Sequence, residues 1–227
     1  MNNYVISEID NAQKKMGAYV ALLNYRYMNL CVKAELGALM PVNVYIGDDV
    51  YNIEDVANIN NPTEFQFGVF PMNENNFQCI IQGIYEAHPE FKMEIKTTDG
   101  SEDADKRFIL YTMPDVDKNR HDLLEQGIKG LHEECCASIE ALYAEFKARM
   151  IENLSEADLP KEDTDEAVKA LDETRNNNIE SADQQLVKKQ DEIDQAYKRY
   201  QEEQQRKAEE DQEIDFSKGF RLFPKES

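Results

Sequence analysis

The residues with the most chemical potential stand close together near the middle of the chain: His121, His132, Cys135 and Cys136. His132 and Cys136 are four apart, so on a helix both could reach one ion. A structural zinc needs four ligands, and the only other candidate nearby, Glu133, points elsewhere on a helix. Cys135 falls in an apolar stripe, where a small hydrophobe is the simpler account. No metal is therefore expected, and no other cofactor. Glu133, Glu134, Glu140 and Glu145 raise the question of paired catalytic carboxylates. Acid–base work needs burial or a close like charge to shift a carboxyl, and these residues fall on an outward helix face. The chain has no glycine-rich phosphate loop and no serine nucleophile motif. The reading is that it is not an enzyme: no catalytic residue and no small-molecule substrate are assigned. Tyr19, Tyr25 and Tyr27 could stack on bases, but Tyr19 and Tyr27 stand at core spacing and no basic groove accompanies them.

Charge narrows the partners. The 227 residues carry 46 acidic and 25 basic groups, a formal charge of −21. The surplus is not a tail effect, because residues 115–200 hold 22 acidic and 12 basic groups while residues 1–40 are near balance. Phosphate binding relies on Lys and Arg, so the overall sign opposes nucleic acid. No apolar run reaches the roughly 20 residues that span a bilayer, and Met1-Asn2-Asn3-Tyr4 does not open a signal peptide. Cys31, Cys79, Cys135 and Cys136 form no disulfide pattern. The expectation is a cytoplasmic protein without a membrane partner.

The elements that must position these residues follow from periodicity. Ile9, Ala12, Met16, Tyr19, Val20, Leu23, Tyr27, Leu30 and Ala34 predict one helix over 6–36, capped near Gly37 and stopped by Pro41. Residues 41–113 change period. Val42–Ile46, Glu64–Phe70, Phe91–Ile95 and Phe108–Tyr111 read as strands, residues 74–87 as a helix, and Thr97 to Lys106 as a hairpin tip. A second helix spans 115–154 with the seam Leu124, Ile128, Leu131, Cys135, Ile139, Leu142, Phe146 and Met150. Ser155 to Pro160 breaks it. A third helix carries Val168, Leu171, Ile179, Ala182, Leu186, Ile193, Tyr197 and Tyr200, and continues to about Ile214. The seams are near-heptad, and short connections make a bundle. The fold class is α+β: a long three-helix bundle (1–40 and 114–215) with an inserted small α/β domain (41–113), hinged at Gly37–Pro41 and Thr112–Asp115. An aromatic tail, 216–227, follows. There Phe216, Phe220, Leu222 and Phe223 either fold back on the protein or form a short peptide that docks on a partner.

This order of elements resembles the ribosome recycling factor family over residues 6–197. Ile6-Ser7-Glu8-Ile9 followed by Met16 is similar to its opening, and Val44-Tyr45-Ile46-Gly47 to its first strand and turn. Pro114, Arg120, Asp122 and Leu123 fall at its spacing. The stretch from Leu159 through Lys161-Glu162-Asp163 to Ile193 matches in length and apolar phase. The resemblance implies an L-shaped molecule that enters the ribosome after termination and, with a translocase GTPase, splits the subunits without covalent chemistry. It also implies RNA contact by arginines closing the first helix and midway along the second. Here the first cluster aligns with Asn29-Leu30-Cys31-Val32-Lys33, and the second with Glu140, Tyr143 and Ala144. The cations left as candidate nucleic-acid contacts are Lys33, Arg120, Lys129, Lys147 and Arg149. The expected function is a ribosome recycling factor-like translation protein acting by shape and contacts, with the usual activity opposed by the missing arginines. Its partner would be the ribosome or a translation factor. The alternative is an acidic adaptor on the same scaffold for a basic protein.

Overall fold

The computed structural model describes residues 3–98, 107–156 and 161–219, except for the side chains of residues 161, 163 and 211–219. Helix α1 (Asn3–Met28) leads into an antiparallel hairpin, β1 (Asn43–Ile46) and β2 (Asp49–Asn52). One helical turn, α2 (Ile53–Val56), precedes β3 (Ala57–Thr63) and β4 (Gln66–Pro71). Helix α3 (Phe77–Ala87), β5 (Lys92–Thr97) and β6 (Arg107–Thr112) complete the lobe. Two long helices follow, α4 (Lys118–Glu156) and α5 (Lys161–Gly219). The expected class, a long three-helix bundle with an inserted α/β lobe, is the fold observed.

The lobe's main sheet is antiparallel throughout, in the order β3-β4-β6-β5. Strands β2 and β3 were not foreseen. All four β2 residues are exposed and β3 is rich in Asn, so neither shows an apolar alternation. Phe67, Val69, Ile109 and Tyr111 turn inward against Phe77, Ile80 and Ile84 of α3. Gly83 lets α3 lie directly on β1, since a Cβ there would stand 2.4 Å from the Asn43 carbonyl oxygen.

The bundle has its own core, drawn from α1, α4 and α5. Its repeat is eleven residues rather than seven. On α4 the buried residues run Leu124, Cys135, Phe146 and Ile128, Ile139, Met150; on α5 they run Leu171, Ala182, Ile193; on α1, Val5, Met16, Tyr27. Eleven residues in three turns average 3.67 per turn, close to an undistorted α-helix, so these helices need little supercoiling. The near-heptad reading is corrected accordingly: the α4 seam's steps of four, three and four already sum to eleven. Tyr19 is the exception to its spacing, 36% exposed, while Tyr27 is buried and donates its hydroxyl to the Ile128 carbonyl.

The first helix ends earlier than its pattern suggests. Cys31 takes a left-handed conformation at φ 52, and Gly37 lies in a short 3-10 turn, Leu36–Leu39. A left-handed non-glycine costs about 1–2 kcal/mol. The Arg120 guanidinium offsets that cost by donating to the Leu30 and Cys31 carbonyls at 3.1 and 3.2 Å. Leu30 and Val32 pack with the bundle, whereas Cys31, Ala34, Ala38 and Leu39 pack with the lobe. The chain thus crosses between the two cores at residues 30–34, not at Gly37–Pro41. It returns between Met113, in the lobe core, and Val116, in the bundle core, and Asp117 then caps α4 by accepting from the Arg120 N–H at 2.8 Å.

Candidate functional site

Helices α4 and α5 run antiparallel, and the eleven-residue repeat carries their polar contacts as well as their core. His121 meets Asp194 at 2.9 Å and His132 meets Asp183 at 2.7 Å. One repeat further on, the Tyr143 hydroxyl donates to Asp172. Each step advances eleven residues on α4 and retreats eleven on α5. Gln190 donating to Glu125 at 2.7 Å and Arg175 facing Glu140 at 3.6 Å keep the same register. The result is a ladder of cross-helix clamps along one face of the bundle.

Glu140 and Tyr143 sit inside this ladder. Glu140 is exposed and paired with Arg175, whose guanidinium also lies 4.6 Å from the Tyr143 ring centroid. Tyr143 is held between Asp172 and Lys147, which donates to its hydroxyl at 2.6 Å. Ala144 is exposed. The face therefore offers internally paired charges where a phosphate-binding surface would offer free forks.

The candidate cations are dispersed. Lys33 pairs with Glu64 at 3.1 Å, and Lys129 lies 3.9 Å from Glu125. Lys147 faces the α4–α5 groove. Arg149 faces the opposite groove, donating to Glu8 of α1 at 2.8 and 3.0 Å and to Glu145 at 3.2 Å. The Glu8 and Glu145 carboxylates raise its pKa, the hydrogen bond to Glu8 contributing most. Arg26 pairs with Glu134 at 2.7 Å, some 15 residues or roughly 22 Å of helix from Arg149. These cations form no single stripe. Arg120 is half-buried and spends its donors on three backbone carbonyls, those of Pro114, Leu30 and Cys31. Burial lowers its pKa, yet a guanidinium stays charged.

Three clusters of possible metal ligands occur among the described residues. The foreseen pair His132 and Cys136, 3.5 Å apart, gains Asp183 across the helix interface. His121 joins Glu125 and Asp194. The third cluster, Cys31, His88 and Glu90, unites residues far apart in the chain. Sequence reasoning missed it because nothing in the spacing of 31 and 88 announces proximity. Of the tail residues, Phe216 falls in the last turns of α5, and its side chain, like Phe220, Leu222 and Phe223, lies outside the described residues. No helix among the described residues is long and apolar enough to cross a membrane.

Residues 27–193 match the profile of a family described as "Ribosome recycling factor". Among solved structures, the "solution structure of the ribosome recycling factor" superposes with a TM-score of 0.65 at 16% identity, over 85% of this chain and 98% of that one. A second match comes from models of the T. thermophilus ribosome recycling factor and the E. coli elongation factor G bound to the E. coli post-termination complex. It has a TM-score of 0.57 at 17% identity, over 83% of this chain and 98% of that one. At such identities the structural likeness is one of fold. No curated protein matches significantly.

Proposed function

Because this chain belongs to the ribosome recycling factor family, we propose that it is a translation-related protein that acts at the ribosome or on a translation factor through shape and non-covalent contacts. The observation that carries this reading is the completeness of the scaffold: nearly the whole of a recycling factor, 98% of its length, superposes on this chain. The relative described in complex is bound to the E. coli post-termination complex, which supports a cytoplasmic site of action. The two cores support a discontinuous bundle interrupted by an inserted domain; we take the bundle as 1–40 and 114–215, the inserted domain as 41–113 and the tail as 216–227, although the lobe core already begins at Cys31.

The RNA grip is weaker than the scaffold suggests. Charge-assisted contacts contribute roughly 1.5–3 kcal/mol each. Three lost at 140, 143 and 144 amount to several kcal/mol, or about three or more decades in affinity. Pairing of Glu140 with Arg175 occupies that guanidinium. We therefore expect the protein not to replace an authentic recycling factor. Lys33, Lys129, Lys147 and Arg149 remain the candidate RNA contacts, whereas Arg120 is better read as structural.

A second reading is favoured by the same acid-paired surface: an adaptor for a basic protein, with the aromatic tail as an added docking peptide. Co-sedimentation with 70S ribosomes at low salt, alongside complementation of a conditional recycling-factor mutant, separates the two. The first reading expects weak co-sedimentation with a shallow salt dependence and no growth rescue. No co-sedimentation at any salt, with retention of a basic protein in a ribosome-free pull-down, would move the assignment to the adaptor. Growth rescue would show that the missing arginines are dispensable.

A further inference from the structure

Cys31, His88 and Glu90 meet where the chain passes from the bundle into the lobe. Cys31 stands at the end of the turn that follows α1, and His88 and Glu90 stand just beyond the end of α3. Cys31 is 1% exposed and His88 7%, while the Glu90 side chain keeps 43% of its surface open to solvent. The His88 ring is clamped. It stacks on Phe91 with centroids 4.5 Å apart and planes 2° from parallel, and its Nε2 lies 2.7 Å from the Ala38 carbonyl oxygen. A carbonyl only accepts, so Nε2 carries the hydrogen and donates it.

That fixes what Nδ1 must do. It faces Glu90 Oε1 at 3.3 Å and Cys31 Sγ at 3.7 Å. With Nε2 protonated, a neutral ring presents a lone pair at Nδ1 to an ionised carboxylate. Two acceptors facing each other repel unless a proton or a cation lies between them. Without an ion, the Cys31 thiol donates either to Nδ1 at 3.7 Å or to the Asn29 carbonyl at 3.4 Å, and the Glu90 carboxylate gains nothing from the ring. A metal ion would use all three groups.

The distances also fit an ion, and all three ligand atoms lie within 4.8 Å of one another. Zinc bonds are about 2.3 Å to sulfur and about 2.0 Å to nitrogen or oxygen. In a tetrahedron those lengths set the sulfur and nitrogen ligands about 3.5 Å apart, and nitrogen and oxygen about 3.3 Å apart. The observed 3.7 and 3.3 Å are close to both. The other two histidine clusters differ. His132–Asp183 at 2.7 Å and His121–Asp194 at 2.9 Å are direct hydrogen bonds with no room for an ion between the atoms. The His88 ring also has the support that ligating histidines require, its second nitrogen donating to a backbone carbonyl.

We infer that Cys31 Sγ, His88 Nδ1 and Glu90 Oε1 form a binding site for zinc or a zinc-like divalent ion, with water as the fourth ligand on the open Glu90 side. Binding exchanges the Cys31 thiol proton for the metal and releases that proton to solvent. Because the ligand is the thiolate, affinity rises with pH. The ion ties the end of α1 to the end of α3, beside the Leu30 and Cys31 carbonyls that Arg120 grips. It would therefore stiffen the junction between bundle and lobe, whatever the protein's partner.

The test is titration of the metal-free, full-length chain with Co2+, read by the thiolate-to-cobalt charge-transfer band in the near ultraviolet, then displacement by Zn2+. One equivalent per chain is expected. The band should vanish in Cys31→Ser and persist in Cys136→Ser. Glu90→Gln should weaken binding at least ~10-fold, the minimum loss seen even for outer-sphere partners. A wild-type chain without the band overturns the inference in favour of hydrogen bonding alone. So does a band that survives Cys31→Ser but is lost in Cys136→Ser. Should Cys31→Ser fail to fold, the half-open Glu90 position decides: unchanged affinity in Glu90→Gln refutes the site.

Discussion

Replacement of Arg120 tests whether this family-spaced cation serves RNA or the fold. Its Nη1 donates to the Pro114 carbonyl at 2.5 Å, and its Nη2 to the Leu30 and Cys31 carbonyls at 3.1 and 3.2 Å. Each charged hydrogen bond contributes roughly 1.5–3 kcal/mol. The two Nη2 contacts share one nitrogen and are individually long, so the three together count as about two bonds, roughly 3–6 kcal/mol. The site is half-buried, and water can recover part of that in the variant. The net expectation for Arg120→Ala is a loss of about 2–4 kcal/mol. In a chain of this size that lowers Tm by roughly 5–15 °C. Arg120→Lys should lose about half as much, since an ammonium cannot reproduce the planar fork that reaches both strands of the crossing. Urea unfolding of both variants beside Lys129→Ala gives the measurement. Lys129 is exposed and only 3.9 Å from Glu125, so its removal should stay within about 0.5 kcal/mol. If Arg120→Ala is as stable as Lys129→Ala yet loses ribosome binding, the structural assignment of Arg120 is wrong.

The double substitution Glu140→Arg, Ala144→Arg should raise RNA affinity and steepen the log–log salt slope by about 1.4–1.8, two phosphates at roughly 0.7–0.9 each; filter binding at several salt concentrations would show it, and no gain would mean this face does not meet phosphate. Burial lowers the His121 pKa, but its hydrogen bonds to Asp194 and Asp122 outweigh that and raise it overall. The charged clamp's contribution is then fully present below the unfolded value near 6.5 and is lost as pH rises through the folded value. Urea midpoints measured across that range should show a decline that Asp194→Asn flattens. Gly83→Ala would drive a methyl against the Asn43 carbonyl oxygen, which stands 2.4 Å from the Cβ position. Separating α3 from β1 should cost about 1–3 kcal/mol, seen as a lowered Tm.

Much of the bundle was legible because its determinants are local and periodic. The apolar steps of four, three and four on α4 specify which face is buried, and every α4 residue named in that seam is buried or packed against the core. A helix repeats its own geometry, so a repeated residue pattern is enough to place it. The acidic surplus was also plain from residue type alone. The lobe was half legible: β4 and β5 alternate in sequence and β6 carries a short apolar run, whereas exposed β2 and Asn-rich β3 owe their place to strand pairing, which lies outside their own sequence.

Tertiary structure decided the rest, for the reason that contacts between distant residues leave no spacing to read. The end of α1 was set by Cys31 turning left-handed under the Arg120 guanidinium, not by Gly37. Arg120 and Arg149 each bond to a residue at least 89 positions away, Cys31 and Glu8 respectively, which their own segments do not announce. The ladder His121–Asp194, His132–Asp183, Tyr143–Asp172 exists only because two helices with the same eleven-residue period run antiparallel in one register. The meeting of Cys31 with His88 and Glu90, 57 or more positions apart, required the chain to fold most of the lobe and return to its start. Sequence fixes what each segment can be, through period and residue type; which segments share a site is settled by packing.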